Sequence, residues 1–377
     1  MAAAVDPVVL AQALIRCPSV TPADAGALDV LTAALTPLGF TCIRVPFGEG
    51  ALRTENLFAR RGTSGPHFCY AGHTDVVPPG PEAQWRFPPF AGQVADGFLW
   101  GRGAADMKGG IACFVAAASR VAQGRGSTSL LITGDEEGPA TYGTRRVLEW
   151  MKANGHVPDV CLVGEPTSPD RLGSAIKIGR RGSMTGRMVV RGVQGHVAYP
   201  HNADNPVPKM VRMLAALTER PIDAGNERFQ ASNLEVTTID VGNPANNVIP
   251  GEVRATFNIR FNDNHTSASL EKWMRATLDA IGAPYELAVE VSGEAFVTKS
   301  GPFTSLLRDA VRAKFGADPE FSTSGGTSDA RFIKDYCPVA EFGLINATIH
   351  KVDERASLAD MAALTDTYAD ILRRFFA

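Results

Sequence analysis

Three things are missing from this sequence, and each absence narrows what the chain can be. It has no Cys-x-x-Cys pair, no surplus of basic residues, and no apolar run of about 18 residues, the length a membrane helix needs. Without paired cysteines a thiolate zinc site is not expected. The six cysteines, Cys17, Cys42, Cys69, Cys113, Cys161 and Cys337, are scattered and mostly sit in apolar runs. They read as reduced core thiols of a cytoplasmic protein. The formal net charge of −3 lacks the basic footprint of a general nucleic-acid binder. Residues 1–7 lack a basic stretch followed by an apolar core, so no secretory signal is expected. Internal repeats and low-complexity tracts are missing too.

What remains is an ordinary globular composition, 45% hydrophobic and 20% charged, over 377 residues. That length exceeds what one hydrophobic core usually supports and predicts two domains. In the first half, strand-length apolar runs alternate with helical patterns, which predicts an α/β fold with a mixed, mostly parallel sheet covered by helices. From residue 184 the order becomes β-α-β-β-α-β, the signature of a ferredoxin-like α+β sandwich. Near 293 the α/β style resumes. The expectation is therefore a larger domain of residues 1–179 and 293–377 with a smaller one, 180–292, inserted. Residues 76–97 are rich in Pro and Gly and read as a long irregular loop, a kind that is usually functional.

Chemistry gathers at the ends of the apolar runs. The run 67–71 leads into His73-Thr-Asp75. Asp106 follows Gly-Arg-Gly-Ala-Ala, Glu136-Glu137 follows Leu130-Leu-Ile-Thr133, and Glu165 follows Val160-Cys-Leu-Val163. In open α/β sheets, ligands bind outside the carboxyl ends of the strands. Taken singly, each residue has an ordinary explanation: a structural His–Asp pair, a solvated Glu pair, a helix N-cap at Asp106, a strand exit at Glu165. Together at one sheet edge they make a cluster of like charge that needs a cation. A pair of catalytic metals sits about 3.5–4 Å apart and needs a carboxylate that bridges both. His73, Asp106, one of Glu136 and Glu137, Glu165 and His350 make a balanced shell, with one His per ion and Asp106 in the middle. Zinc takes His nitrogen and carboxylate oxygen when thiolates are absent. The other Glu would face open water as a general base. Asp75, two residues from His73, is expected to fix that imidazole through its second ring nitrogen. Gly101-Arg-Gly103-Ala-Ala-Asp106 also imitates the start of a dinucleotide fingerprint. Its third Gly is replaced by an Asp that would repel a pyrophosphate, so that reading is rejected.

His73-Thr-Asp75-Val-Val-Pro-Pro-Gly80, Gly101-Arg-Gly-Ala-Ala-Asp106-Met-Lys-Gly-Gly110, Asp135-Glu136-Glu137-Gly138 and Glu165-Pro-Thr together resemble the dizinc aminoacylase/carboxypeptidase superfamily. The likeness continues through Gly195-His196-Val-Ala-Tyr-Pro-His201, Asn247-Val-Ile-Pro250-Gly-Glu and Ser324-Gly-Gly-Thr-Ser-Asp-Ala-Arg331-Phe, and so covers nearly the whole chain. It implies one zinc on His73 and Glu165, the other on Glu137 and His350, and Asp106 bridging. It also implies Glu136 as general acid/base, Asp75 in support of His73, and a cis peptide at Asp106–Met107. The inserted domain would be a dimerisation domain, and His196 would reach the site of the partner subunit in a homodimer. Cobalt is an alternative to zinc.

The later stretches favour a branch that cleaves N-succinyl amino acids, whose substrate carries three carboxylates. Lys177, Arg180, Arg181, Arg260 and Arg331 are its candidate cations. Asn246 and Asn247 are candidate polar contacts, and Ser324, Gly325, Gly326 and Thr327 a candidate nest of backbone N–H groups. A sister amidohydrolase, acetylornithine deacetylase or an aminoacylase, would share the metal ligands and differ in the pocket. A catalytically dead binding protein would have no use for Glu136.

Overall fold

The computed structural model describes residues 4–122 and 124–377; residues 1–3 and 123, within the larger expected domain, lie outside the described residues. The chain forms two compact units: Met1–Ile178 with Thr298–Ser322 and Ser328–Ala377, and Gly179–Val297 with Thr323–Thr327. The divisions thus fall at 178/179 and 297/298, with 323–327 joining the smaller unit. Hydrogen bonding explains the difference. Gly179–Arg180 and Phe296–Val297 pair as a short antiparallel ribbon, and the Arg180 guanidinium donates to the carbonyls of Ser324 (3.4 Å) and Gly326 (2.8 Å).

The larger unit is α/β, as the alternating pattern predicts. Its eight-stranded sheet runs Thr41–Arg44, Leu57–Arg61, Ser127–Thr133, His67–His73, Val160–Val163, Val339–Glu341, Ala175–Lys177, Glu320–Ser322. The centre is parallel: His67–His73 pairs in parallel with both Ser127–Thr133 and Val160–Val163. Every residue of those three strands is buried, and their apolar stretches, 68–71, 130–132 and 160–163, are continuous rather than alternating. Helix Lys108–Ser119 is Ala- and Gly-rich and buried on nearly all sides. Its Phe114 stacks on Tyr70 of the central strand at 4.1 Å and meets Tyr368 of helix Leu358–Phe376 at 5.8 Å. A Cβ at Gly110 would lie 2.9 Å from the Gly164 carbonyl. That close approach brings the start of the helix to the strand end that precedes Glu165.

Residues 76–97 are not structureless throughout. Gln93–Ala95 pairs antiparallel with Phe98–Trp100, which also pairs with Arg355–Ser357. Asp96 and Gly97 form the turn, with φ of 52° and 79°; left-handed Asp-Gly is a favoured two-residue hairpin turn.

The smaller unit holds a four-stranded antiparallel sheet in the order Asn233–Asp240, Glu252–Phe261, Gly182–Arg191, Glu286–Gly293. With helices Val207–Thr218 and Ser267–Asp279 the chain order is β-α-β-β-α-β. Met184, Met188 and Val190 alternate with Val253, Ala255, Phe257 and Ile259 on the face that buries Met210, Met213, Leu270 and Met274 from the helices. Period two in the strands and three-to-four in the helices produce this one-sided core. Among the described residues no helix is long and apolar enough to cross a membrane.

Candidate metal centre

Three neighbouring parallel strands deliver their next residues to one sheet edge. The register pairs His73 with Thr133 and Ala71 with Val163. His73 therefore closes its own strand beside the segment that continues to Glu136-Glu137 and the one that continues to Glu165. Asp106 arrives on the turn before helix Lys108–Ser119. The N-cap position there is Met107, with no side-chain cap bond, so the Asp106 carboxylate is not spent on capping. The Asp106–Met107 peptide is cis. His350 comes from the loop before Arg355–Ser357 and has a left-handed φ of 59°.

Asp106 stands between two His/Glu pairs. Its Oδ1 lies 3.2 Å from His73 Nε2, which is 3.6 Å from Glu165 Oε1. Its Oδ2 lies 3.4 Å from His350 Nε2, which is 2.9 Å from Glu137 Oε1. Ligand atoms of His73, Asp106 and Glu137 all fall within 4.8 Å of one another, as do those of His73, Glu136 and Glu165. His73 Nε2 and Asp106 Oδ1 are buried without any hydrogen-bond partner. Buried polar atoms are almost always satisfied, so two neighbouring unsatisfied atoms that can offer lone pairs to zinc fit a cation site.

Asp75 supports the site differently from the sequence expectation. His73 Nδ1 donates to the Asp75 backbone carbonyl at 2.9 Å, while the carboxylate is 3.6 Å away. The turn after the strand brings the carbonyl closer, and the carboxylate meets two N–H groups that need an acceptor. It takes Glu136 N–H at 3.3 Å on Oδ1 and Glu137 N–H at 3.0 Å on Oδ2. One residue thus orients both the imidazole and the Glu pair. With Nδ1 donating, Nε2 keeps its lone pair for a metal.

The electrostatics follow from the crowding. Burial and the neighbouring Glu165 carboxylate push Glu136 well above the usual carboxylate range. Burial pushes Asp75 up to about 6, against the pull of His73. Asp106, although buried, is held below the ordinary range by the neighbouring His350 and His73 imidazoles. Asp106 and Glu137 raise His350 to about 10. Burial would lower His73, but Asp106, Glu165, Glu136 and Asp75 outweigh it and hold the imidazole well above its usual value. The carboxylates around them thus favour positive charge on both imidazoles, the part that a divalent cation would play when bound.

The other expected residues are divided between the units. Lys177 and Arg331 belong to the larger; Lys177 is buried, and Arg331 stacks on Phe332 at 4.6 Å. In the smaller, Arg180 holds the 324–326 backbone carbonyls, and Gly325 has a φ of 95°. Thr327 lies in the same segment. Arg181 donates to Asn233 Oδ1 at 2.9 Å, and Arg260 is the strand partner of Asn233. Exposed His196 sits on the short strand Gly195–His196, paired with Val248–Ile249. Exposed Asn246 and Asn247 precede that pairing strand, and Val197 N–H donates to the Asn247 carbonyl at 3.0 Å.

Among the buried carboxylates that escaped the sequence reading are Asp329 and Glu354. Asp329 accepts the Thr144 hydroxyl at 2.6 Å, and Glu354 accepts N–H groups from the turn that carries Asp106. Glu354 lies four residues after His350, too weak a spacing to single it out.

The model of Peptidase family M20/M25/M40 matches residues 69–374. A succinyl-diaminopimelate desuccinylase of Gluconacetobacter diazotrophicus is 59% identical over 369 residues, covering 97% of this chain and 96% of that protein. A metallo-carboxypeptidase of the M20 family from Sulfolobus solfataricus has a similar structure, with TM-score 0.80 at 14% identity over 98% of this chain and 99% of that one. A dinuclear metal-binding M20 peptidase from Bacillus subtilis matches with TM-score 0.69 at 16% identity, over 97% and 96%. The chain that gathers these ligands at its sheet edge belongs to the peptidase family M20/M25/M40.

Proposed function

We propose that the protein is a two-metal amide hydrolase that removes succinate from N-succinyl-LL-2,6-diaminopimelate. The product, LL-2,6-diaminopimelate, would serve lysine and cell-wall biosynthesis in the cytoplasm. The observation that carries the chemistry is the Asp106 carboxylate shared between His73/Glu165 and His350/Glu137, with buried unsatisfied atoms facing the gap. The choice of acyl group is supported by the 59% identity to a curated desuccinylase over 97% of the chain.

His73 and Glu165 would hold one divalent ion, Glu137 and His350 the other, and Asp106 both. Zinc fits the N/O donor set, and cobalt is the alternative. When bound, such a pair supplies Lewis-acid polarisation of the amide carbonyl and a water acidic enough to attack at neutral pH.

Glu136 takes the proton of the attacking water and passes it to the leaving amine. Its upward-shifted pKa suits a group that must both accept and donate. Asp75 keeps His73 and the Glu136–Glu137 backbone in place. The smaller unit is assigned the dimer interface, and His196 acts on the partner subunit's site. Ala198 N–H donates to His196 Nδ1 at 3.1 Å, which leaves the ring proton on Nε2 to stabilise the tetrahedral oxyanion. Lys177, Arg180, Arg181, Arg260 and Arg331, with Asn246, Asn247 and the 324–327 segment, are assigned to the substrate carboxylates.

The test is cleavage of N-succinyl-LL-diaminopimelate beside N-acetylornithine, with and without chelator. Chelator-sensitive release of succinate with little acetate is expected. Preference for the acetyl compound would move the protein to the sister deacetylases, and cleavage of neither would refute the enzyme reading.

A further inference from the structure

We propose that Glu354 is a positioning residue that fixes the Asp106 carboxylate between the two metal subsites before any ion binds. The inference rests on the two-metal reading above. Glu354 is fully buried, with 0% exposure. Its Oε1 accepts the backbone N–H groups of Ala105 (2.9 Å) and Asp106 (3.0 Å). Its Oε2 accepts Gly103 N–H (3.0 Å) and an Arg102 guanidinium N–H (2.7 Å). The Glu354 carbonyl also accepts Gly101 N–H at 2.9 Å. All these donors belong to the one turn that presents Asp106.

The clamp reaches beyond that turn. The Arg102 guanidinium also donates to the carbonyls of Lys351 (3.3 Å) and Pro78 (3.4 Å). Three loops are thereby tied at one buried point: the loop leaving His73 and Asp75, the turn of Asp106, and the loop of His350. The last is fixed locally as well. Thr348 Oγ1 donates to the Arg355 carbonyl at 3.1 Å and accepts Arg355 N–H at 3.2 Å. His350 and Asp353 hold left-handed φ values of 59° and 60°.

The chemistry of the clamp is specific. A buried carboxylate near a second one is costly unless every lone pair is used. Here both oxygens are bonded twice, to donors whose directions set the path of the chain into Asp106. A Gln would keep the shape but turn an NH2 group toward N–H donors. An Asp would keep the charge but fall one methylene short. Groups that orient metal ligands in this way typically hold about 10- to 100-fold of metal affinity.

The experiment compares the full-length wild type with Glu354→Gln and Glu354→Asp, each stripped of metal. Zinc binding is followed by competition with a chromophoric chelator, and the unfolding temperature is recorded in parallel. Wild type taking two equivalents, with both variants binding about 10- to 100-fold more weakly, is the expected result. Two equivalents bound by all three proteins with equal affinity would overturn the proposal, even if the variants melt earlier, because that is what a merely structural role gives. A wild type that fails to take two ions would instead refute the two-metal reading beneath it.

Hydrogen exchange on the metal-free wild type makes the test independent of whether the variants fold. The amides of the 101–107 turn are expected to be protected already. Free exchange that slows only on adding zinc would show that the ion, and not Glu354, orders the turn.

Discussion

At the scale of single residues, adjacent glutamates are held by one aspartate and assigned different tasks in the proposed reaction. Asp75 accepts the N–H groups of both Glu136 and Glu137, so their side chains leave the backbone in different directions. Glu137 points to His350 at 2.9 Å. Glu136 is the carboxylate raised by burial and by Glu165. Replacing Glu136 by Gln is expected to lower kcat by about 10²- to 10⁴-fold, the usual worth of a general acid/base, with metal content unchanged by elemental analysis. A variant that keeps normal turnover would remove Glu136 from the role.

His350 gives a pH prediction. In metal-free protein Asp106 and Glu137 raise it to about 10, so at neutral pH it carries a proton. Only the neutral imidazole can bind metal, so binding must expel that proton. Metal affinity should therefore rise with pH, by up to about tenfold per unit for each proton released, and flatten as pH passes about 10. Calorimetry in buffers of different ionisation enthalpy would count the protons. A count of zero at pH 7 would contradict the assignment of His350.

At the scale of elements, three of the five candidate ligands, His73, Glu137 and Glu165, are placed by strand ends, and the packing behind those ends is tight. A Cβ at Gly164, just before Glu165, would lie 1.7 Å from the Tyr70 hydroxyl and 2.8 Å from Met107 Cε. Gly164→Ala must push back either the central strand or the residue after Asp106. It is expected to cost about 1–3 kcal/mol of stability, as overpacking does, and to weaken metal binding. Both can be read from thermal unfolding with and without zinc. Unchanged stability would show that the strand end has more room than the structure gives it.

Much of this level was legible in the sequence. Buried parallel strands carry short unbroken apolar runs, so 130–132 and 160–163 mark their own ends, and the residues that follow converge on the candidate site. Other features left fainter traces. The strand Gln93–Ala95 lay hidden in a Pro- and Gly-rich stretch, although its Asp96-Gly97 turn was a readable hairpin signal. Asp75 was read as a support for His73, but whether its carbonyl or its carboxylate does the work depends on a backbone turn that side-chain spacing cannot express. Glu354 offered no spacing signal, because its partners are backbone N–H groups some 250 positions away in the chain.

At the scale of the whole molecule, the chain builds a sheet edge of clustered imidazoles and carboxylates in one unit and an antiparallel layer in the other. Two short pairings mark their division: Gly179–Arg180 with Phe296–Val297, and Arg180 with the 323–327 backbone. If the smaller unit brings His196 to the partner's site, complementation must work. His196→Ala and Glu136→Gln would each be nearly inactive alone. Mixed and allowed to exchange subunits, they should recover roughly a quarter of wild-type turnover, since half of the dimers then contain one intact site of two. No recovery, with exchange verified, would place His196 on its own subunit's site or outside catalysis.

The most direct test of the central claim is a zinc titration of the metal-free enzyme, with bound metal and succinate release from N-succinyl-LL-diaminopimelate measured together. Two equivalents per chain, turnover that depends on them, and loss of tight binding at both positions in Asp106→Asn are the predicted results. Full turnover in excess chelator, or an Asp106→Asn variant that still binds two ions tightly, would contradict the account.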